Sequence, residues 1–213
     1  MGRVEYILFP NSVIEHSMGN KAVFLDRDGT INEEVGYVNH LERFILIPRA
    51  GQAIRLLNQH DWKTVVVTNQ SGVARGYFPE SLIPQVHRKM EDLLKQDRAH
   101  LDGIYYCPHH PEIGVPPYRQ KCSCRKPSTG LIEEAEKELD LDPSKSYMVG
   151  DRGVDIEFGH QIGAKAILVL TGYGKGEWEY YRDQWKSQPD YVAEDLFEAV
   201  QWILQQEALG FSR

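Results

Sequence analysis

The chain of 213 residues is 41% hydrophobic and 26% charged, with a formal net charge of −7. Those values describe a globular domain long enough to bury a full core, and they argue against a general nucleic-acid binder, which carries a basic field or stripe. No apolar run nears the ~18 residues of a membrane span, and Tyr6-Ile7-Leu8-Phe9, with Glu5 and Glu15 around it, is too short for a secretory leader. The expectation is a cytoplasmic, monomeric protein with neither a membrane nor a nucleic-acid partner.

Residues 1–20 read as an N-terminal extension, and residues 21–213 as a single domain in which apolar, β-branched runs alternate with helical patterns. Strands are expected at 22–26, 64–68, 103–106, 147–150, 166–170 and 191–193. A helix at 49–60 follows Pro48 and gathers Ala53, Ile54, Leu56 and Leu57 on one side. A second, at 80–97, spaces Leu82, Val86, Met90, Leu93 and Leu94 helically, with Pro84 confined to its first turns because the ring does not fit a helix interior. Further helices are expected at 129–139, after Ser128, at 155–162, before Gly163, and at 196–206. Alternation of this kind implies an α/β fold, a doubly wound parallel sheet of Rossmann type with helices on both faces. Residues 31–44 and 172–188 carry no clear pattern, and the proline-rich stretch 107–127 is long for a bare loop.

The run Ala22-Val23-Phe24-Leu25 leads straight into Asp26-Arg27-Asp28-Gly29-Thr30. Strand side chains alternate with period two, so Asp26 and Asp28 point the same way, and Gly29 lets the backbone turn off. A nucleophile and a neighbouring acid are thereby set at the carboxyl edge of a sheet, where open α/β folds place their ligands; the pair suits covalent phosphoryl chemistry. Three later strands end in matching groups. Thr68-Asn69-Gln70-Ser71-Gly72 offers hydroxyl, amide and backbone N–H donors to phosphate oxygens. Cys124-Arg125-Lys126-Pro127 sets two cations before a helix. Tyr147-Met148-Val149-Gly150-Asp151 ends in a carboxylate suited to a hard cation, with Asp155 four residues on. Taken singly, each has a plainer reading as an Asx turn, a polar turn, a solvated basic pair or an N-cap.

All three cysteines, Cys107, Cys122 and Cys124, fall in the proline-rich stretch. Three thiols close no disulfide framework, but Cys107-Pro108-His109 and Cys122-Ser123-Cys124 make a ligand set that suits tetrahedral Zn²⁺. Four filled positions leave none for substrate, so this metal is expected to be structural and to order the loop at 107–127. Spacing favours His109 over the alternative His110. Free thiols, or a Cys122–Cys124 redox pair, are the alternatives to a metal.

Taken in order, the four strand-end motifs resemble those of the haloacid dehalogenase superfamily of phosphatases, over about residues 21–170. The resemblance implies that Asp26 attacks phosphorus and becomes an aspartyl phosphate, and that Asp28 protonates the leaving oxygen and then deprotonates water. It implies that Mg²⁺ is held by the Asp26 and Asp151 carboxylates and the backbone carbonyl of Asp28, with Asp155 behind them, while Thr68 and Lys126 hold the phosphoryl oxygens. The short spacings from Asp28 to Thr68 and from Thr68 to Lys126 imply a capless member. The Cys-x-His and Cys-x-Cys loop running into Arg-Lys-Pro narrows the likeness to a branch of heptose-bisphosphate and histidinol-phosphate phosphatases, and residues 25–32, 34–38 and 68–76 resemble the heptose-bisphosphate family.

That family likeness implies substrate contacts from Glu34, Val35, Gly36, Tyr37, Thr68, Asn69, Gln70, Ser71, Arg125, Lys126 and Arg152. The implied substrate is a small phosphorylated sugar, a heptose bisphosphate losing its 7-phosphate on the way to lipopolysaccharide precursors. The alternatives are histidinol phosphate or another small phosphomonoester and, in a different class, a non-catalytic zinc-stapled binding module, against which the intact catalytic set argues.

Overall fold

The computed structural model describes residues 19–210, so all but the last two residues of the expected N-terminal extension lie outside the described residues. Six strands, β1 (Ala22–Leu25), β2 (Lys63–Asn69), β3 (Gly103–Cys107), β4 (Tyr147–Gly150), β5 (Lys165–Val169) and β6 (Tyr191–Ala193), form one sheet in the order β3-β2-β1-β4-β5-β6. Every pairing is parallel; Leu25 of β1, for instance, lies between Val66 of β2 and Val149 of β4. The chain winds outward from β1 to β3, then restarts at β4 beside β1. Connections therefore diverge between β1 and β4 and leave a crevice at their carboxyl ends.

Helices α1 (Ala50–Gln59), α2 (Ile83–Gln96) and α6 (Leu196–Ala208) cover one face of the sheet, and α3 (Gly130–Leu139) and α4 (Gly153–Gln161) the other. Period-two alternation splits β1 between two cores. Val23 and Leu25 pack with Ile54, Leu57, Met90 and Ile203, whereas Ala22 and Phe24 pack with Leu131, Ile132 and Phe158. A strand buried on both faces needs apolar residues at successive positions, which is why Val65-Val66-Val67 shows no alternation.

The observed elements differ from expectation mainly at their ends. β2 and β3 run on to Asn69 and Cys107, which pair with each other, so the donor turn and the first thiol emerge side by side. The helix expected at 80–97 opens with a 3₁₀ turn, Glu80–Leu82, and α2 starts at Ile83 with Pro84 in its first turn, where a missing N–H leaves no bond unmade. The helix expected at 155–162 starts two residues earlier, making Asp155 its third residue; Asp155 Oδ2 accepts a hydrogen bond from Arg152 N at 3.2 Å. Residues 172–188 wind into α5 (Gly174–Gly176), a π-helical turn (Glu177–Tyr181) and a 3₁₀ turn (Arg182–Gln184), and their Trp178 and Trp185 pack against Ile156 and Leu168. Only short 3₁₀ turns, Leu41–Arg43 and Glu80–Leu82, interrupt the connections from β1 to α1 and from β2 to α2, so the strand ends stay uncapped. No helix among the described residues is long and apolar enough to cross a membrane.

Candidate active site

Asp26 and Asp151 each follow a strand directly, and neighbouring β1 and β4 deliver them to the crevice; Asp26 N donates to Val149 O at 2.9 Å. Carboxylate oxygens of Asp26, Asp151 and Asp155 lie within 4.8 Å of one another. Lys126 Nζ stands among them, 2.7 Å from Asp155 Oδ1 and 3.0 Å from Asp26 Oδ1, with its side chain 1% exposed. Burial works against that ammonium, but Asp155 and Asp26 outweigh it and hold its pKa above the ordinary lysine value. Burial likewise pushes the Asp155 carboxyl up, against the pull of Lys126.

Asp151 is pushed up to about 9 by burial and then by Asp26 and Asp155. Its Oδ2 accepts from Tyr173 N at 2.8 Å, while its Oδ1 is buried without a hydrogen-bond partner. A buried unpaired oxygen beside two more carboxylates is what a hard divalent cation satisfies, so the set fits Mg²⁺. The backbone closes tightly around it. A Cβ on Gly29 or Gly172 would come within 2.1 or 2.2 Å of Asp151 Oδ2, and both residues have positive φ, 81° and 57°, so glycine alone fits.

Asp28 sits in a separate network. Arg27 Nη2 donates to Asp28 Oδ1 and Oδ2 at 2.9 and 2.7 Å, Asn32 Nδ2 to Oδ1 at 2.9 Å, and Gln70 Nε2 to Oδ2 at 2.8 Å. Burial raises the Asp28 pKa, but Arg27 and these donors more than reverse it and leave the carboxyl below its usual range. The carboxylate is thus held in its ionised form. Thr68, also buried, takes a 3.0 Å hydrogen bond from the same Gln70 amide. Asn69 clasps the backbone of Lys126, with Asn69 Nδ2 donating to Lys126 O at 3.2 Å and Lys126 N donating to Asn69 Oδ1 at 3.1 Å.

These groups floor a cavity of about 410 Å³. Asn69, Gln70, Ser71 and Arg125 line it, and Glu34, Gly36, Tyr37 and Arg152 also border it. Val35 is the exception among the expected contacts. Its carbonyl accepts from Arg43 Nη2 at 2.8 Å, its side chain packs on the core, and it borders a neighbouring depression instead. Burial, then Asp28, raise the pKa of Glu34. Arg152 lies 4.8 Å above the Tyr173 ring, with its Nε 3.7 Å from Glu177 Oε1. Tyr173 and Glu177 line the cavity too, although their segment has no readable pattern in sequence.

The second constellation is the loop after β3. Cys107 Sγ lies 3.7 Å from His109 Nδ1 and 3.6 Å from Cys122 Sγ, and Cys124 Sγ lies 3.3 Å from each of His109 Nδ1 and Cys122 Sγ. Those separations are far too long for S–S bonds. They approach the ~3.7 Å between sulfurs that Zn–S bonds of ~2.3 Å give in a tetrahedron, so the four donors fit a metal of that kind. His109, not His110, completes the set; His110 Nδ1 instead accepts from Glu112 N and Ile113 N at 3.1 and 3.0 Å. Arg125, between the last thiol and Lys126, donates from Nη1 to His109 O at 3.1 Å.

A parallel sheet of this order, with an aspartate pair after its first strand and a lysine and a third aspartate brought to it, defines a hydrolase of the haloacid dehalogenase type. The family model described as "HAD-hyrolase-like" matches residues 123–199. A D-glycero-beta-D-manno-heptose-1,7-bisphosphate 7-phosphatase of Haemophilus ducreyi is 49% identical over 73% of this chain and 86% of its own length. The corresponding D-glycero-D-manno-heptose enzyme of Thermosynechococcus vestitus is 45% identical over 87% and 96%. The crystal structure of the D,D-heptose 1,7-bisphosphate phosphatase of B. bronchiseptica, complexed with magnesium and phosphate, superimposes with a TM-score of 0.77 at 34% identity, covering 87% of this chain and 99% of that one. The chain belongs to the D-glycero-D-manno-heptose-1,7-bisphosphate 7-phosphatase family.

Proposed function

We propose that this protein removes the 7-phosphate of D-glycero-D-manno-heptose 1,7-bisphosphate through an aspartyl-phosphate intermediate, using Mg²⁺. One observation carries the reading: Asp26 stands at the cavity floor with Lys126 Nζ 3.0 Å from its carboxylate and Asp151 beside it. An Asp26 oxygen attacks phosphorus, the bond from phosphorus to the C7 oxygen breaks, and Asp28 gives that oxygen its proton. Asp28 then takes a proton from the water that attacks the aspartyl phosphate, and inorganic phosphate leaves with Asp26 restored. Its depressed pKa leaves Asp28 ionised and free to take that proton, as a weaker base than an unperturbed carboxylate; the incoming phosphate dianion works in the opposite direction, since like charge raises a carboxyl pKa and so serves the first step.

Asp26, Asp151 and the Asp28 carbonyl would hold Mg²⁺, whose charge offsets repulsion between carboxylate and phosphate. Thr68 and Lys126 steady the phosphoryl oxygens, and Asn69 holds Lys126 in place through its backbone. Arg125 and Arg152, the cations at the cavity wall, meet the distal phosphate and sugar hydroxyls, with Glu34, Gly36, Tyr37, Gln70 and Ser71 completing the contacts. Cys107, His109, Cys122 and Cys124 hold a structural Zn²⁺, which orders the loop carrying Arg125 and Lys126. Thiolate ligands suit a reducing compartment, and we place a monomeric enzyme in the cytoplasm, in heptose precursor synthesis for lipopolysaccharide.

The test is phosphorus NMR on both anomers of the bisphosphate and on histidinol phosphate, with Mg²⁺. Selective loss of the 7-phosphate signal, leaving the 1-phosphate, is the expected result. Equal slow release from every substrate would retain a phosphatase and remove the substrate assignment.

A further inference from the structure

Arg27 is among the largest side chains that the fold buries completely, at 1% exposure, and the reaction gives it no task. Burying a guanidinium is costly unless its donors are met. Nη2 meets both oxygens of Asp28 and Gln70 Oε1, the last at 3.0 Å, and Nε approaches Asp28 Oδ1 at 3.3 Å. Nη1 lies 3.4 Å from Nε2 of His87, a buried residue on the inner face of α2. Arginine has no acceptor and keeps its proton, so His87 Nε2 must accept, which requires a neutral ring with its proton on Nδ1. Burial and then Arg27 depress the His87 pKa to about 3, in keeping with that neutral form. Behind His87, the Tyr106 ring stands edge-on at 5.7 Å, and Glu80 accepts from both Tyr106 Oη and Tyr118 Oη, at 3.3 and 2.8 Å. Tyr118 belongs to the loop that carries the thiols.

We infer that Arg27 and His87 are positioning residues for the acid–base carboxylate: His87 Nε2 fixes Arg27, and Arg27 fixes Asp28 through both oxygens. The inference rests on Asp28 being the acid and base of the proposed reaction. A buried histidine on an apolar helix face is more often a packed core residue, and the two roles give different kinetics. An alkoxide leaves poorly without a proton, whereas p-nitrophenolate leaves without one, so misplacing Asp28 slows the first step for a sugar phosphate and spares it for p-nitrophenyl phosphate.

His87→Leu, which removes the acceptor and keeps apolar bulk, should lower kcat on the heptose bisphosphate ~10–100-fold with KM within ~2-fold. The pre-steady-state burst of p-nitrophenolate should stay within ~3-fold of wild type, and His87→Gln, whose amide oxygen accepts from Arg27, should recover most of the loss. Equal losses on the two substrates, or no recovery with glutamine, would overturn the inference. Should His87→Leu not fold, Arg27→Lys, which keeps the charge and loses the two-oxygen grip, carries the same comparison. The failures are separable: the substrate reading fails if wild type leaves the bisphosphate intact, and the comparison then runs on glycerol 3-phosphate.

Discussion

Lys126→Met removes the one ammonium among three carboxylates while keeping most of the side-chain volume. At an effective dielectric of ~20, unit charges at the observed 2.7 and 3.0 Å attract by roughly 6 kcal/mol each, before desolvation is subtracted. Removing one partner of a buried pair costs a net ~3–5 kcal/mol, which in a domain of this size lowers Tm by roughly 6–20 °C. The loss should depend on pH in a defined sense. Without Lys126, Asp155 rises further above its unfolded value than burial already takes it. A folded pKa above the unfolded one gives stability that is present at low pH and lost as pH rises through the folded value. The Tm deficit measured by circular dichroism in magnesium-free buffer should therefore be large at about pH 8 and shrink at about pH 5, and kcat should fall at least ~100-fold. An unchanged Tm at pH 8, or a deficit equal at both pH values, would refute the charge argument and leave only packing.

Asp151, pushed up to about 9, must lose its proton to bind a cation. Apparent Mg²⁺ affinity should thus rise by up to ~10-fold per pH unit between about pH 7 and 9. Calorimetry in buffers of different ionisation enthalpy should detect the released proton, and a flat profile would contradict the assignment. Metal analysis should find one zinc per chain, lost in Cys124→Ser, with new proteolytic cleavage between residues 108 and 121 and a lower kcat; zinc-free wild type with a protected loop would remove the clamp. Arg125→Ala should raise KM for the bisphosphate ~10–100-fold, the worth of a charge-assisted hydrogen bond, with little change in kcat. A fall in kcat alone would move Arg125 from recognition to chemistry.

The strands were legible because parallel sheets buried on both faces demand unbroken apolar runs, as in Ala22-Val23-Phe24-Leu25 and Tyr147-Met148-Val149. The strand-end motifs were legible for a related reason: short polar stretches after such runs fall at one edge of the sheet. Arg27 escaped notice because a charged residue between two aspartates reads as solvated, and only the fold shows it buried on Asp28. His87 was hidden inside the helical stripe of Val86, Met90 and Leu94, where its polarity resembled an interruption. Asn32 had a usable signal, four residues past Asp28 across a glycine turn, and it is fully buried with its amide on Asp28. Tyr173 and Glu177 had none, because a three-residue helix and the π-helical turn that Glu177 opens are too short or irregular to show a sequence period. Val35 was expected at the substrate by its place in a motif, yet neighbouring positions in an irregular segment face different ways, and it turns to the core.

The central claim is a covalent aspartyl phosphate on Asp26. Rapid acid quench of Asp28→Asn during turnover of p-nitrophenyl phosphate, whose leaving group needs no proton, followed by peptide mass spectrometry, tests it most directly, because the first step is spared and loss of the base stalls the second. The account predicts one hydroxylamine-sensitive phosphoryl group on the peptide containing Asp26, and none in Asp26→Asn, which should fold and be inactive. Phosphate release with no labelled protein, or label on any other residue, would contradict it.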